Sequence, residues 1–162
     1  MRLLFKRSKT HNADLIDSRL HNEESFFAAF SKDFKGAQQE VIIESPYMTR
    51  RRASELAPLC LQLTQKGVKV RINTRNPNHH NDNLRIQACI AIKILKDAGA
   101  RIKLCNDMRH RKIAVIDKAI LWEGSLNMLS QNGSKEIMRR TVSEKLSKQM
   151  LNFTGMNTWR NW

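Results

Sequence analysis

Short β-branched runs alternate along this chain with longer stretches of helical period, and that alternation constrains the fold more than any other feature. Glu40 to Glu44 (EVIIE) is apolar and β-branched, as a buried strand is. Ser45-Pro46 stops it, because proline cannot continue a ladder. Thr49 then caps a helix to about Lys66, with Ala53, Leu56, Leu59, Cys60 and Leu63 on one face. Gly67 closes that helix, and Val68 to Asn73 alternates as a strand. A polar loop, Arg75 to Asn83, leads to a second helix, Leu84 to Ala98, closed by Gly99 and followed by a strand from Ala100 to Cys105. Further strands are expected around Lys112, at Ala119 to Glu123 and at Lys135 to Val142. Ser143 caps a closing helix to about Phe153. Ahead of all these, the stripe Phe26, Phe27, Phe30 and Phe34 predicts a helix over Leu15 to Phe34, with Lys35-Gly36 as its stop. Strands and helices in this rhythm indicate a layered α/β fold.

The chain has 162 residues, enough for one domain with a sizeable core and too few for two. Residues 1–162 are therefore expected to form a single domain. A loose basic segment over 1–10 begins it, and a tail over 154–162 ends it. The tryptophans of that tail, in NTWRNW, can pack on a neighbouring surface or on a base.

The chemistry-bearing residues concentrate between Met108 and Leu129. Read as a strand, this stretch puts His110 and Lys112 on one face with Ala114 and Ile116. Arg111, Ile113, Val115 and Asp117 take the other. A histidine and a lysine with no acid nearby in sequence make a poor metal site and a good anion site. The ammonium holds a phosphate as a point charge, and the imidazole can attack phosphorus or carry a proton near neutral pH. After the break at Gly124, Ser125 and Asn127 offer a hydroxyl and a carboxamide to phosphate oxygens, with turn formation as the plainer role for both.

His110-x-Lys112, four residues, Asp117, six residues, then Gly124-Ser125-x-Asn127 resembles the HKD signature of the phospholipase D superfamily, with every defined position filled at the family spacing. The resemblance extends to Val41-Ile42-Ile43-Glu44-Ser45-Pro46-Tyr47, similar to the family's first core strand. It also extends to Glu136, where nuclease-like members carry an acid. It implies a mixed central β-sheet flanked by helices on both faces, the phospholipase D/nuclease-like arrangement. His110, Lys112, Ser125, Asn127 and Glu136 would be its catalytic residues, with Lys112, Ser125 and Asn127 holding the substrate phosphate. Glu136 is the candidate for orienting the histidine, or else an edge acid paired locally. Asp117 lies seven residues from His110, on the order of 23 Å along an extended strand, and is expected to be a structural member of the motif.

One motif is present, not two, and His11, His21, His79 and His80 have no H-x-K context. A covalent route through histidine needs a second proton donor, and a twofold homodimer supplies it. Single-motif members of the superfamily are built this way, so the resemblance implies a homodimer with one composite site. It implies no cofactor and no metal.

With 29 Lys+Arg against 15 Asp+Glu, the net charge is +14, a field that attracts polyanions. Nucleic acid is the expected partner, DNA favoured, and the expected function is metal-independent endonuclease cleavage through a phosphohistidine. A phospholipase D-type lipid phosphodiesterase and a non-catalytic DNA-binding module are the alternatives. The run SLNMLSQNGSKEIMRR is similar to nuclease domains attached to helicase-like or defence proteins, which makes such a protein a possible partner. Arg50-Arg51-Arg52 opens a helix, where the dipole disfavours cations; it reads equally as phosphate-facing or as a solvated run. His79, His80 and Asp82 lack a recognisable ligand set and read as loop. Cys60, Cys89 and Cys105 sit singly in apolar runs and read as buried thiols of a reducing, cytoplasmic setting. No secretory h-region and no membrane-length apolar run is visible, so stable membrane association is not expected.

Overall fold

The computed structural model describes residues 16–130, 133 and 135–158. The expected N-terminal segment, most of the Ser130 to Ser134 loop and both tail tryptophans lie outside them. The elements in chain order are β1 (Asp17–Asn22), α1 (Glu23–Gly36), β2 (Glu40–Glu44), α2 (Arg50–Gln65), β3 (Lys69–Arg75), α3 (Asp82–Asp97), β4 (Arg101–Cys105), β5 (Lys112–Ile116), β6 (Ile120–Gly124), β7 (Ile137–Val142) and α4 (Glu144–Thr154).

All seven strands share one mixed sheet, in the order β1-β7-β6-β5-β2-β3-β4. β2, β3 and β4 run parallel, joined by α2 and α3 as crossovers; β5, β6, β7 and β1 are antiparallel. The change of sense falls between β2 and β5. Helices α1, α2 and α3 cover one face, on a core that includes Phe26, Phe34, Val41, Ile43, Leu95, Ala114, Ile116 and Trp122. Helix α4 covers the other, where Leu151 and Met156 meet Ile42, Ile113, Val115 and Leu121. The pleat of β5 is thus divided between two cores, as the alternation of its side chains requires.

Caps set the helix starts. The side chains of Thr49 and Ser143 accept from Arg52 N and Leu146 N and open α2 and α4. Asn81 opens α3 two residues ahead of the predicted start, since its carboxamide accepts from Leu84 N. The prediction of one helix over Leu15 to Phe34 is overturned. Residues 17–22 form β1, paired antiparallel with β7, and the helix starts only at Glu23 under an Asn22 cap. Cys89 is also corrected: it is exposed, because the buried face of α3 is Ala88, Ala91, Ile92 and Leu95. Cys60 is fully buried, and burial pushes its thiol up to about 12. No helix among the described residues is long and apolar enough to cross a membrane.

Candidate active site

The C-terminal ends of β2 and β3, the start of β5, the end of β6 and the start of β7 all lie at one end of the sheet. Open α/β sheets bind ligands at that end of their parallel strands. The predicted strand through His110 begins later than expected: β5 starts at Lys112, and His110 stands on the exposed segment that leads into it. The two side chains still meet. Lys112 Nζ lies 2.6 Å from His110 Nδ1. Lys112 is buried, and burial lowers its pKa while the charge of Glu136 raises it.

Register explains the glycine. Lys112 pairs across the ladder with Gly124, which pairs in turn with Met138. A Cβ on Gly124 would stand 2.2 Å from the Ile137 carbonyl oxygen and 2.9 Å from Met138 Cα, both backbone atoms that cannot step aside. Gly124→Ala should cost about 1–3 kcal/mol, the usual range for overpacking, and thermal unfolding measures it. Beyond the glycine, Ser125 N–H donates to the Ile137 carbonyl, and Ser125 Oγ accepts from Ile137 N–H at 3.2 Å. The hydroxyl ties β6 to β7. The Asn127 carbonyl accepts from Ser130 N–H, which closes a turn over residues 127–130 just beyond the sheet.

Asp117 is at the far end of β5. Its carboxylate accepts from the backbone N–H groups of Gln38, Gln39 and Glu40 at 2.8, 2.8 and 2.9 Å. Asp117 and Lys118 both have positive φ, 51° and 55°, as the central residues of a tight hairpin turn do.

Other residues, to which the sequence reading gave no role, surround the pair. Glu44, at the end of β2, has no exposed surface and binds Arg109 Nη1 at 2.8 Å and Arg111 Nε at 2.5 Å. Arg109 also forks onto Asp107, both contacts at 2.6 Å, and holds that carboxyl down at about 2. The Tyr47 ring meets His110 edge-on, centroids 5.9 Å apart, and packs against His80 on its other side. A lone acid ending a strand buried on both faces was the available signal, since such a charge demands a partner. The arginine run does not converge here. Arg51 and Arg52 pair with Glu55, and the Arg52 guanidinium lies 3.4 Å from the Phe27 ring centroid. Tyr47 also links His110 to His80 and Arg75, whose Nη1 donates to the Tyr47 hydroxyl at 3.1 Å.

Against known proteins, residues 30–156 match the family model described as cardiolipin synthase, PLD-like domain. The chain belongs to the phospholipase D superfamily. Membership places it among the phosphodiester-cleaving enzymes. Its fold is similar to NucT from Helicobacter pylori, at 19% identity and a TM-score of 0.69, covering 85% of this chain and 92% of that one. It is similar also to Nuc from Salmonella typhimurium, a phospholipase D family member, at 14% identity and a TM-score of 0.71, covering 85% and 91%. A third likeness is to phosphatidylserine synthase from Haemophilus influenzae Rd KW20, at 12% identity and a TM-score of 0.64, covering 89% of this chain and 38% of that one. No curated protein matches the sequence.

Proposed function

We propose that this phospholipase D superfamily member is an endonuclease that cleaves DNA at a composite site shared by two copies of the chain. The observation that carries the reading is the contact of Lys112 Nζ with His110 Nδ1 at the carboxyl end of the parallel strands, on a chain of charge +14. A diester oxygen competes for the Lys112 ammonium and frees the imidazole. A ring nitrogen of His110 then attacks phosphorus, and the bond to the departing sugar oxygen breaks. That oxygen takes its proton from the imidazolium of His110 in the second copy, which is left neutral. The same neutral ring next takes a proton from water. The hydroxide attacks phosphorus, the P–N bond breaks, and the first histidine is released. Lys112, Ser125 and Asn127 stabilise the charge on the phosphoryl oxygens, and Glu136 opposes the lowering of the Lys112 pKa that burial causes. The lysine ammonium and the hydroxyl and amide donors supply the positive field without calling on a metal.

Plasmid DNA incubated with purified protein in EDTA should be nicked and linearised. Mass spectrometry of acid-free quenched protein should find phosphate on His110, and sedimentation should give twice the chain mass. Cleavage that disappears in EDTA, or a strictly monomeric active species, sinks the proposal. Binding should also be steeply salt-dependent. Four phosphate contacts predict a loss of about a hundredfold between ~50 and ~200 mM salt, read from a filter-binding or fluorescence titration. A flat response would remove DNA from the reading.

The lipid reading is favoured by the family model's description as cardiolipin synthase and by one feature of the surface. A groove of about 500 Å³ runs beside Lys112 and Gly124, and Leu20, Ile113, Ile137, Met150 and Phe153 give it apolar walls. Release of choline from short-chain phosphatidylcholine, with no cut in DNA, would make this the function. Arg111 and Arg139 line the same groove, which suits a polyanion as well as a headgroup.

A further inference from the structure

We infer that Glu44 is a positioning residue: by gripping the arginines on either side of His110, it fixes where the imidazole stands against Lys112. The inference rests on the phosphodiesterase reading of the site and adds to it a group that contacts no substrate.

His110 precedes β5, so the sheet does not hold it. What ties its neighbours to the sheet is the Glu44 carboxylate at the end of β2. Glu44 accepts from Arg109 Nη1 at 2.8 Å, from Arg111 Nε and Nη2 at 2.5 and 3.2 Å, and from Asn73 Nδ2 at 3.4 Å. A carboxylate with no exposed surface is costly unless it is fully paired. This one meets two cations that come from the segment carrying the candidate nucleophile, 65 and 67 residues away in the chain. Arg109 is further held by Asp107. Both flanks of His110 are therefore pinned to the floor of the site, while the ring between them stays exposed.

The chemistry gives a reason for such a clamp. Attack on phosphorus needs the ring at close range and in line, and a misplacement near 1 Å can cost about a hundredfold. A histidine on a free segment would sample many positions. Pinned at 109 and 111, it has few. Glu44 also offsets two positive charges beside the ring without occupying the space a phosphate needs. A purely structural Glu44 would instead set only how many molecules are folded.

The test uses the whole chain and a small chromogenic diester, bis(p-nitrophenyl) phosphate, so that polyanion binding does not dominate KM. Glu44→Gln should lower kcat about tenfold or more while KM stays within about twofold. Glu44→Asp, which keeps the charge, should recover part of the loss. Arg111→Met should reproduce the pattern more weakly and covers the case in which the Gln variant does not fold. A second measurement needs no activity. Limited trypsin digestion, followed by mass spectrometry, should cut after Arg109 or Arg111 several-fold faster in Glu44→Gln than in the parent, with cutting after Arg101 unchanged. A folded Glu44→Gln variant with parental kcat overturns the inference, as does an unchanged tryptic pattern. If the parent itself turns over no diester, the fault lies with the functional reading, and the trypsin comparison alone decides whether the clamp exists.

Discussion

His110→Ala is expected to remove phosphodiester cleavage while leaving the fold intact. The side chain is exposed and belongs to no strand, so its loss opens no cavity, and circular dichroism and thermal unfolding should match the parent. The activity loss should be about a thousandfold or more. That corresponds to ~4 kcal/mol of transition-state stabilisation, a modest sum for removing a nucleophile from a covalent route. In a shared site the variant loses the attacking group in one half-reaction and the proton donor in the other. Mixed assemblies make this visible. If copies exchange freely and every composite site needs both imidazoles, an equal mixture of parent and variant should retain about a quarter of the parental activity rather than about half. A value near half would mean that each chain works alone. Full activity in the pure variant would remove His110 from the chemistry altogether.

Asp117→Ala should give the largest loss of stability of any single change at the motif, about 2–4 kcal/mol by urea unfolding. Two effects add. The carboxylate accepts three backbone N–H bonds that join the loop before β2 to the end of β5. Alanine also takes over a position with φ of 51°, which costs it about 1–2 kcal/mol. Two of the three amides are exposed and can turn to water, which keeps the total in single figures. Asp117→Asn tolerates the left-handed turn and keeps one acceptor, so it should lose about half as much. The deficit should lie in stability and not in turnover per folded molecule, because Asp117 is at the opposite end of β5 from Lys112. A change within about 0.5 kcal/mol, the range of ordinary surface substitutions, would show that the amides were never held.

The alternating strands and helices were legible because β-branched runs and caps are local signals. EVIIE, Thr49 and Ser143 each declare their role within a few residues. β1 was not legible. DSRLHN is polar, five of its six residues are exposed, and Leu20 is itself 58% exposed, so no period marks it as a strand. Pairing with β7 creates it, and that information lies more than a hundred residues away. The helical reading carried the phenylalanine stripe back through this stretch. Asn22 with Glu23 and Glu24 behind it was the truer start signal, a cap followed by acids in the first turn. The motif residues could be read because their spacing is fixed in sequence. Glu44 could not, because its partners meet it only once β2 and β5 lie side by side.

Strand β5 is gripped at both ends. Asp117 sits on three amides at one, and Glu44 holds Arg109 and Arg111 at the other. A strand so fastened has a single seat. Sliding it one residue along β2 would swing Lys112 through the sheet to the α4 side, lift the carboxylate off its amides and leave Glu44 without its guanidinium pair. Mis-threading and loss of the reactive pair are therefore the same event, and a chain that has found its pairing has assembled its chemistry as well.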